Sequence, residues 1–327
     1  MSIRIIKSGL LDTVQDQGRY GYQHLGINPN GAMDTVAMRM ANALVGNDAG
    51  EAVLEMHWPA PVIQFEEDTC FAISGALVAA QINKAFDIPV NKTIFAKAGS
   101  RLSFEKKQKG ARLYLAIQGG FQLTPWLHSN STQMQVLYGG ALLKTGDILS
   151  VKKKHVSPFN ETKTANWHIQ SPIDFSDKHI HFTIGKEWSL LDDTIQQLFL
   201  ESDYQIDNNS NRMGYRLNGT TILLPEKVEL VSTAVTRGTI QLLPNGQPLV
   251  LMADHQTTGG YPRIGHVISA DIPKLAQLEP GGNIRFKEIS IPEAHSRLHA
   301  LNLHLKQMEI ACKLRMQDVR SQISDLK

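Results

Sequence analysis

Between Glu51 and Ser150 the chain is interrupted every few residues by glycine, proline, asparagine or lysine turns, and that punctuation leaves room only for short strands. The stretches 53–56, 62–65, 70–74, 77–82, 101–104, 112–117 and 148–152 carry the β-type pattern. One helix precedes them. Asp34 is placed as its N-cap, Val36, Ala37, Met40, Ala41, Leu44 and Val45 recur at helical spacing, and Gly46 suits the residue past its end. Many short strands after a single early helix predict a barrel or sandwich and argue against an alternating βαβ sheet. The glycines at 18, 21 and 26 also miss the G-x-G-x-x-G spacing of a dinucleotide fold.

The pattern then starts again. Residues 153–178 are polar and marked by proline, which predicts a boundary. A strand at 180–184 follows, then a helix at about 188–200 with Ser189 as N-cap, Asp192 in its first turn and Trp188, Leu191, Ile195 and Leu198 as its apolar stripe. Short strands continue to about residue 289. The halves echo each other: G-R-Y-G-Y-Q-H-L-G from Gly18 matches N-R-M-G-Y-R-L-N-G from Asn211 at an offset of 193, and K-A-G-S-R-L-S-F from Lys97 matches E-P-G-G-N-I-R-F from Glu279 at an offset of 182. D-I-P occurs ahead of the second pair, at Asp87 and Asp271. Nearly constant offsets predict two copies of one small β-barrel, related by a degenerate internal repeat. The expected layout is an N-terminal barrel at 1–155, a linker at 156–178, a C-terminal barrel at 179–290 and a helical tail at 291–327. In the tail, Leu298, Leu301, Leu305, Met308, Cys312, Val319 and Leu326 form a seam that either packs on its own domain or meets a partner helix.

Charge excludes some classes of partner. The net charge is +2, and the one basic run, K-K-K-H from Lys152, sits in the polar boundary, so nucleic acid is not expected. Two cysteines without metal spacing, no apolar leader and no apolar run of membrane length place the expected protein in the cytoplasm, with no membrane contact. There is no P-loop and no Met-Lys-Met biotin attachment sequence. The pairs His179/His181 and His295/His299 lack a third ligand, so no metal site is expected.

The stretch A-D-H-Q-T-T-G-G-Y-P-R-I-G, from Ala253, follows the apolar run 248–252 and is the richest in chemistry. A strand end leading into a carboxylate, an amide, two hydroxyls and a double glycine reads either as an anion cradle or as a tight turn between strands.

T-V-Q-D-Q-G-R-Y-G-Y, G-A-M-D-T-V-A-M-R-M-A-N-A-L-V-G-N, A-I-S-G-A, Y-L-A-I-Q-G-G-F, N-R-M-G-Y-R-L, G-T-I-Q and the stretch just quoted together resemble the allophanate hydrolase subunit 2 family. That family includes the C subunit of 5-oxoprolinase and the second half of the carboxyltransferase domain of urea carboxylase. The resemblance runs from about residue 3 to 289 and implies a mainly β chain of tandem cyclophilin-like β-barrel domains, with the long C-terminal helix outside it. It implies a hydrolase acting on a cyclic amide, opening 5-oxoproline to glutamate with ATP and magnesium at the level of a complex. The implied partners are the B subunit of 5-oxoprolinase (allophanate hydrolase subunit 1-like) and its A subunit. Two other activities stay open. One is half of a biotin-dependent carboxyltransferase acting on urea or a related amide, with biotin carried on another chain. The other is a non-catalytic regulatory partner of a histidine-kinase inhibitor. The sequence departs from the family at Ser232-Thr233-Ala234, where Ser-Glu-Gly or Ser-Glu-Pro is usual. It departs again at Leu127-His128-Ser129-Asn130-Ser131-Thr132, where Leu-Gly-Ser-Arg-Ser-Thr is common, and at His255, often arginine.

Such chemistry needs cations or N–H donors for a phosphate, a base for water and a group to orient the substrate carboxylate. Arg19 and Arg212 are candidate clamps, or else partners of a carboxylate at the barrel mouth. Asp16 and Asp254 are candidate bases or magnesium ligands, whereas Asp34 is better explained as the helix cap. Gln15, Gln118 and Gln256 are candidate amide donors, Thr257 and Thr258 hydroxyl donors, and Gly119-Gly120 and Gly259-Gly260 paired backbone nests, one per barrel. Tyr215 and Tyr261 either stack on substrate or pack in a core. The two glycine-rich mouths are expected to converge on one small anion.

Overall fold

A computed structural model describes residues 1–134, 142–152, 159–224 and 230–324. It divides into two compact units, and each draws on separated pieces of sequence. The first contains residues 1–18, 34–172 and 303–327; the second contains 19–33 and 173–302. The boundaries drawn from the sequence cut the chain into contiguous pieces, whereas the units exchange two segments. Lys153, Lys154, His155, the start of the linker (156–158) and Leu326 lie outside the described residues.

In the first unit the strands are β1 (Ser2–Lys7), β2 (Asp12–Gln15), β3 (Val53–His57), β4 (Val62–Phe65), β5 (Thr69–Ile82), β6 (Phe86–Ile88), β7 (Thr93–Ala96), β8 (Arg101–Ile117), β9 (Ile148–Ser150) and β10 (Lys163–Thr164). They form a ten-stranded sheet in the order β10-β7-β5-β8-β4-β1-β9, with β2 on β3, β3 on β8 and β6 on β5. Alternate residues bury Ile3 and Ile5, and Phe65 stacks on Phe71 at 4.7 Å between ring centroids. Two expected turns are absent. Residues 70–74 and 77–82 join in β5, and 101–104 and 112–117 join in β8, which carries the charged E-K-K-Q-K-G stretch between them. That stretch has no apolar alternation because it is largely exposed, yet its backbone stays paired to β5 through register shifts between Gly75 and Ala80.

Helix α1 (Thr35–Leu44) forms as expected. Asp34 accepts from the Ala37 N–H at 2.9 Å, and Gly46, at φ +67°, lets the chain turn away. The long α4 (Ile291–Ser324) contributes its part from Leu303 onward to this unit. There Leu305, Cys312 and Met316 are buried, Arg39 of α1 pairs with Glu309 at 2.7 Å, and Met316 lies against Gly46. This part of the stripe therefore packs on its own unit.

The second unit is a closed barrel of seven strands in the order β11-β18-β15-β16-β13-β12-β19. Its strands are β11 (His179–Ile184), β12 (Asp203–Ile206), β13 (Gly214–Gly219), β15 (Thr239–Leu242), β16 (Pro248–Leu251), β18 (Arg263–Val267) and β19 (Asn283–Glu288). The ribbon β14 (Thr233–Ala234) and β17 (Thr258–Gly259) lies outside the barrel path. Phe182, Trp188, Phe199, Tyr204 and Phe286 fill the core, with Phe199 and Phe286 stacked at 4.9 Å. The expected helix begins later than Ser189. Residues Trp188–Leu190 make one 3₁₀ turn, and α2 (Asp193–Glu201) starts after Asp192, whose carboxylate accepts from the Ile195 N–H at 2.8 Å and so serves as the cap. A five-residue α3 (Ile272–Ala276) went unforeseen.

One of the two sequence echoes is structural. Gly99 and Gly281 both take positive φ, +79° and +85°. Each makes the same two-bond turn: Gly99 N donates to Phe65 O while Phe65 N donates to Ser100 O, and Gly281 N donates to Ile206 O while Ile206 N donates to Gly282 O. The other echo does not hold. Residues 18–26 are loop and a 3₁₀ turn, whereas 214–219 is strand, and D-I-P lies in β6 once and at the start of α3 once. Among the described residues no helix is long and apolar enough to cross a membrane.

Candidate functional site

In the second unit the loop at 19–33 lies on the end of β13 and the stretch after β16, and Asp254 is at the centre. Its carboxylate accepts from Arg212 Nε at 2.9 Å, Arg212 Nη2 at 2.9 Å and Asn30 Nδ2 at 2.8 Å. Its backbone carbonyl accepts from Asn28 at 3.0 Å. Arg212 also donates to Gly31 O, and Arg19 donates to Asn30 Oδ1 at 2.7 Å. Both members of the Arg212–Asp254 pair are buried, at 4% and 6% exposure. Arg237 holds the same loop by donating to the carbonyls of Ala32 and Met33. A carboxylate offers about four lone-pair sites, so three are filled and Asp254 is built as an anchor rather than an open base. Arg212 pairs with a buried carboxylate, the alternative read from the sequence, whereas Arg19 donates to the amide oxygen of Asn30. His255, next in the chain, is buried, and burial holds its imidazole below the usual range. His266 is lowered for the same reason, and His255 adds to that effect.

Beyond this network the chain reaches the surface. Gln256 lies at the limit of hydrogen-bond distance from Gln241 Oε1, 3.5 Å, Thr257 O accepts from Val235 N, and Thr258-Gly259 pair with Thr233-Ala234. The expected nest at Gly259-Gly260 is not formed, since neither residue has positive φ. Glycine is required at 259 for close approach, because a Cβ there would lie 2.5 Å from Gln241 Nε2. Gly259, Thr233, Lys186, Glu187, Tyr261 and Arg263 line a cleft of about 180 Å³. Tyr261 is 44% exposed in it, whereas Tyr215 is a core residue, buried inside the barrel.

In the first unit Asp16 is saturated. It accepts from Ser129 Oγ at 2.7 Å, Ser131 Oγ at 2.6 Å, Asn130 N at 2.6 Å and Gly18 N at 2.8 Å. It thereby clamps a turn in which Leu127 and His128 take φ +49° and +62°. Position 128 is where the family commonly has glycine, which carries that conformation at lower cost. Gln15 is fully buried and bonds Thr13 Oγ1 and, at 3.5 Å, Thr132 O. The second expected nest is also absent, because its N–H groups are used: Gly119 N donates to Asn47 Oδ1 and Gly120 N to Ile117 O. Gln118 donates to Val45 O at 3.3 Å. These residues anchor the end of α1.

Sequence reasoning missed Asn28, Asn30 and Arg237, which have no motif of their own, and Lys186 and Glu187, which follow β11 without any flanking signal. Arg263 stands out in the sequence only as part of the glycine-rich stretch.

The family described as carboxyltransferase domain, subdomain A and B, matches residues 25–288. The chain is 38% identical over 301 residues to the C subunit of 5-oxoprolinase from Escherichia coli, covering 89% of this chain and 93% of that one. It is 33% identical to the C subunit of 5-oxoprolinase from Haemophilus influenzae, covering 90% and 94%. The crystal structure of Kluyveromyces lactis urea carboxylase superposes with a TM-score of 0.84 at 27% identity; 94% of this chain is covered but only 29% of the yeast chain.

Proposed function

Because this chain belongs to the carboxyltransferase-domain family, we propose that it is the C subunit of an ATP-dependent 5-oxoprolinase, opening 5-oxoproline to glutamate together with the A and B subunits. One observation carries the reading: the likeness to proteins named as the C subunit spans nearly the whole of both chains, whereas the yeast enzyme is matched over less than a third of its length.

A five-membered lactam is a resonance-stabilised amide, so its carbonyl must be activated before water attacks at neutral pH; ATP supplies that activation in the assembled enzyme. The described residues of this chain do not fit a nucleotide. Neither double glycine forms a nest, the oxygens of Asp16 are occupied by protein donors, and no three His, Cys, Asp or Glu side chains are grouped as a metal site would require. The chain's own part is to bind and orient: the Arg212–Asp254–Asn30 network fixes the loop at 28–33 and the base of the segment that ends in Tyr261, and that segment carries the exposed donors Thr258 and Tyr261 to substrate.

The test is reconstitution. Coexpression with the A and B subunits, followed by 5-oxoproline and ATP, is expected to yield glutamate only when all three chains are present. An assembled complex that makes no glutamate removes this reading. The close superposition on urea carboxylase favours a second one, half of a biotin-dependent carboxyltransferase, which predicts transfer from a carboxybiotinyl protein to urea or a related amide by the same preparation.

A further inference from the structure

We infer that the cleft between β18 and the ribbon β14–β17 is a subsite for a small monocarboxylate on a compact ring, with Lys186 as its counter-ion. The choice of a lactam acid as occupant rests on the proposed activity; the charge of the cleft does not.

Arg263 and Glu187 form the wall of the cleft. The backbone N and Nε of Arg263 donate to Glu187 Oε2 at 3.0 and 2.9 Å, its Nη2 donates to Glu187 Oε1 at 2.6 Å, and its Nη1 donates to Thr233 Oγ1 at 2.6 Å. The fork holds Glu187 below the usual carboxylate range, so the pair stays ionised and contributes no net charge. A guanidinium has five N–H donors and three are used here, which leaves two on a fixed plane for a ligand. Lys186 is exposed on the lining and makes no ion pair among the described residues. Among the described residues the lining therefore carries one net positive charge. Its remaining surface is apolar: Leu230, Val231 at 87% exposure, and the ring of Tyr261. The cleft, about 180 Å³, has room for one small ring and a carboxylate. A monoanion on a small ring with an apolar methylene edge matches these properties, and an uncharged ring lacks the group that Lys186 would pair with.

The test uses the full chain labelled with 3-fluorotyrosine, with the Tyr261 resonance assigned through Tyr261→Phe. 5-Oxoproline is expected to shift that ¹⁹F resonance saturably, and neutral 2-pyrrolidone to bind about tenfold more weakly or worse. Lys186→Met is expected to raise the Kd for 5-oxoproline about tenfold and to leave that for 2-pyrrolidone unchanged. No shift with 5-oxoproline, equal affinity for the two ligands, or an unaltered Kd in Lys186→Met would each overturn the assignment. The measurement needs neither turnover nor the other subunits. Failure to make glutamate and failure of this subsite are therefore separate results.

Discussion

Asp16 in the first unit and Asp254 in the second are both buried carboxylates beside a glycine-bearing turn, and they are satisfied in opposite ways. Asp16 accepts only from neutral donors, two hydroxyls and two backbone N–H groups. Asp254 accepts from a bidentate guanidinium and an amide. The first arrangement shapes a loop; losing any one donor leaves the others in place. The second is an ion pair out of water, stable only while both charges remain. Asp12 supplies a third case. It takes a single N–H bond, from Gly9 at 2.6 Å, its Oδ1 has no hydrogen-bond partner among the described residues, and burial pushes its carboxyl up to about 6.

Four substitutions break or sharpen this contrast. The largest effect is expected from Arg212→Ala, which strands the Asp254 carboxylate and costs about 3–5 kcal/mol in denaturant unfolding; a loss below about 1 kcal/mol would mean the pair is not the anchor described. Next is Asp12. Its pKa is higher in the folded chain (about 6) than in the unfolded chain (3.8), so the stability it permits is full below pH 3.8 and is lost as the pH rises through 6. Asp12→Asn should flatten that window and add roughly 3 kcal/mol at pH 7, read from unfolding midpoints at pH 4 and pH 7. Asp16→Asn, which keeps one acceptor, should cost about 2 kcal/mol, less than the loss at Arg212. The smallest effect is His128→Gly, which relieves a left-handed backbone and should stabilise the fold by about 1 kcal/mol, a small rise in Tm.

The fold was largely readable because strand periodicity and turn residues are local signals. The cap at Asp34, the strand after Pro248 and the paired turns at Gly99 and Gly281 all follow from neighbours in sequence. Residues 105–110 misled because a strand that is largely exposed carries no apolar alternation, and Asp192 displaced Ser189 because one 3₁₀ turn delays the helix. The site was readable by residue and not by role. The sequence singles out Arg19, Arg212 and Asp254, but their role of satisfying buried neighbours is a long-range property, because Asn28 and Asn30 lie more than 200 positions from Asp254. The glycine pairs read as nests from composition alone. At Gly259 the requirement was space beside Gln241, a long-range contact that no local pattern announces.

The Arg212 guanidinium is held on Asp254 and the Gly31 carbonyl, and in the proposed activity its part is to position the segment that ends in Tyr261. Arg212→Lys keeps the charge and removes the two-point fork. In the enzyme reconstituted with the A and B subunits, this variant should still assemble, and its glutamate release at saturating 5-oxoproline should fall at least tenfold. Reversion to arginine alone should recover the rate. Wild-type release from a folded, assembled Arg212→Lys enzyme would contradict the positioning role.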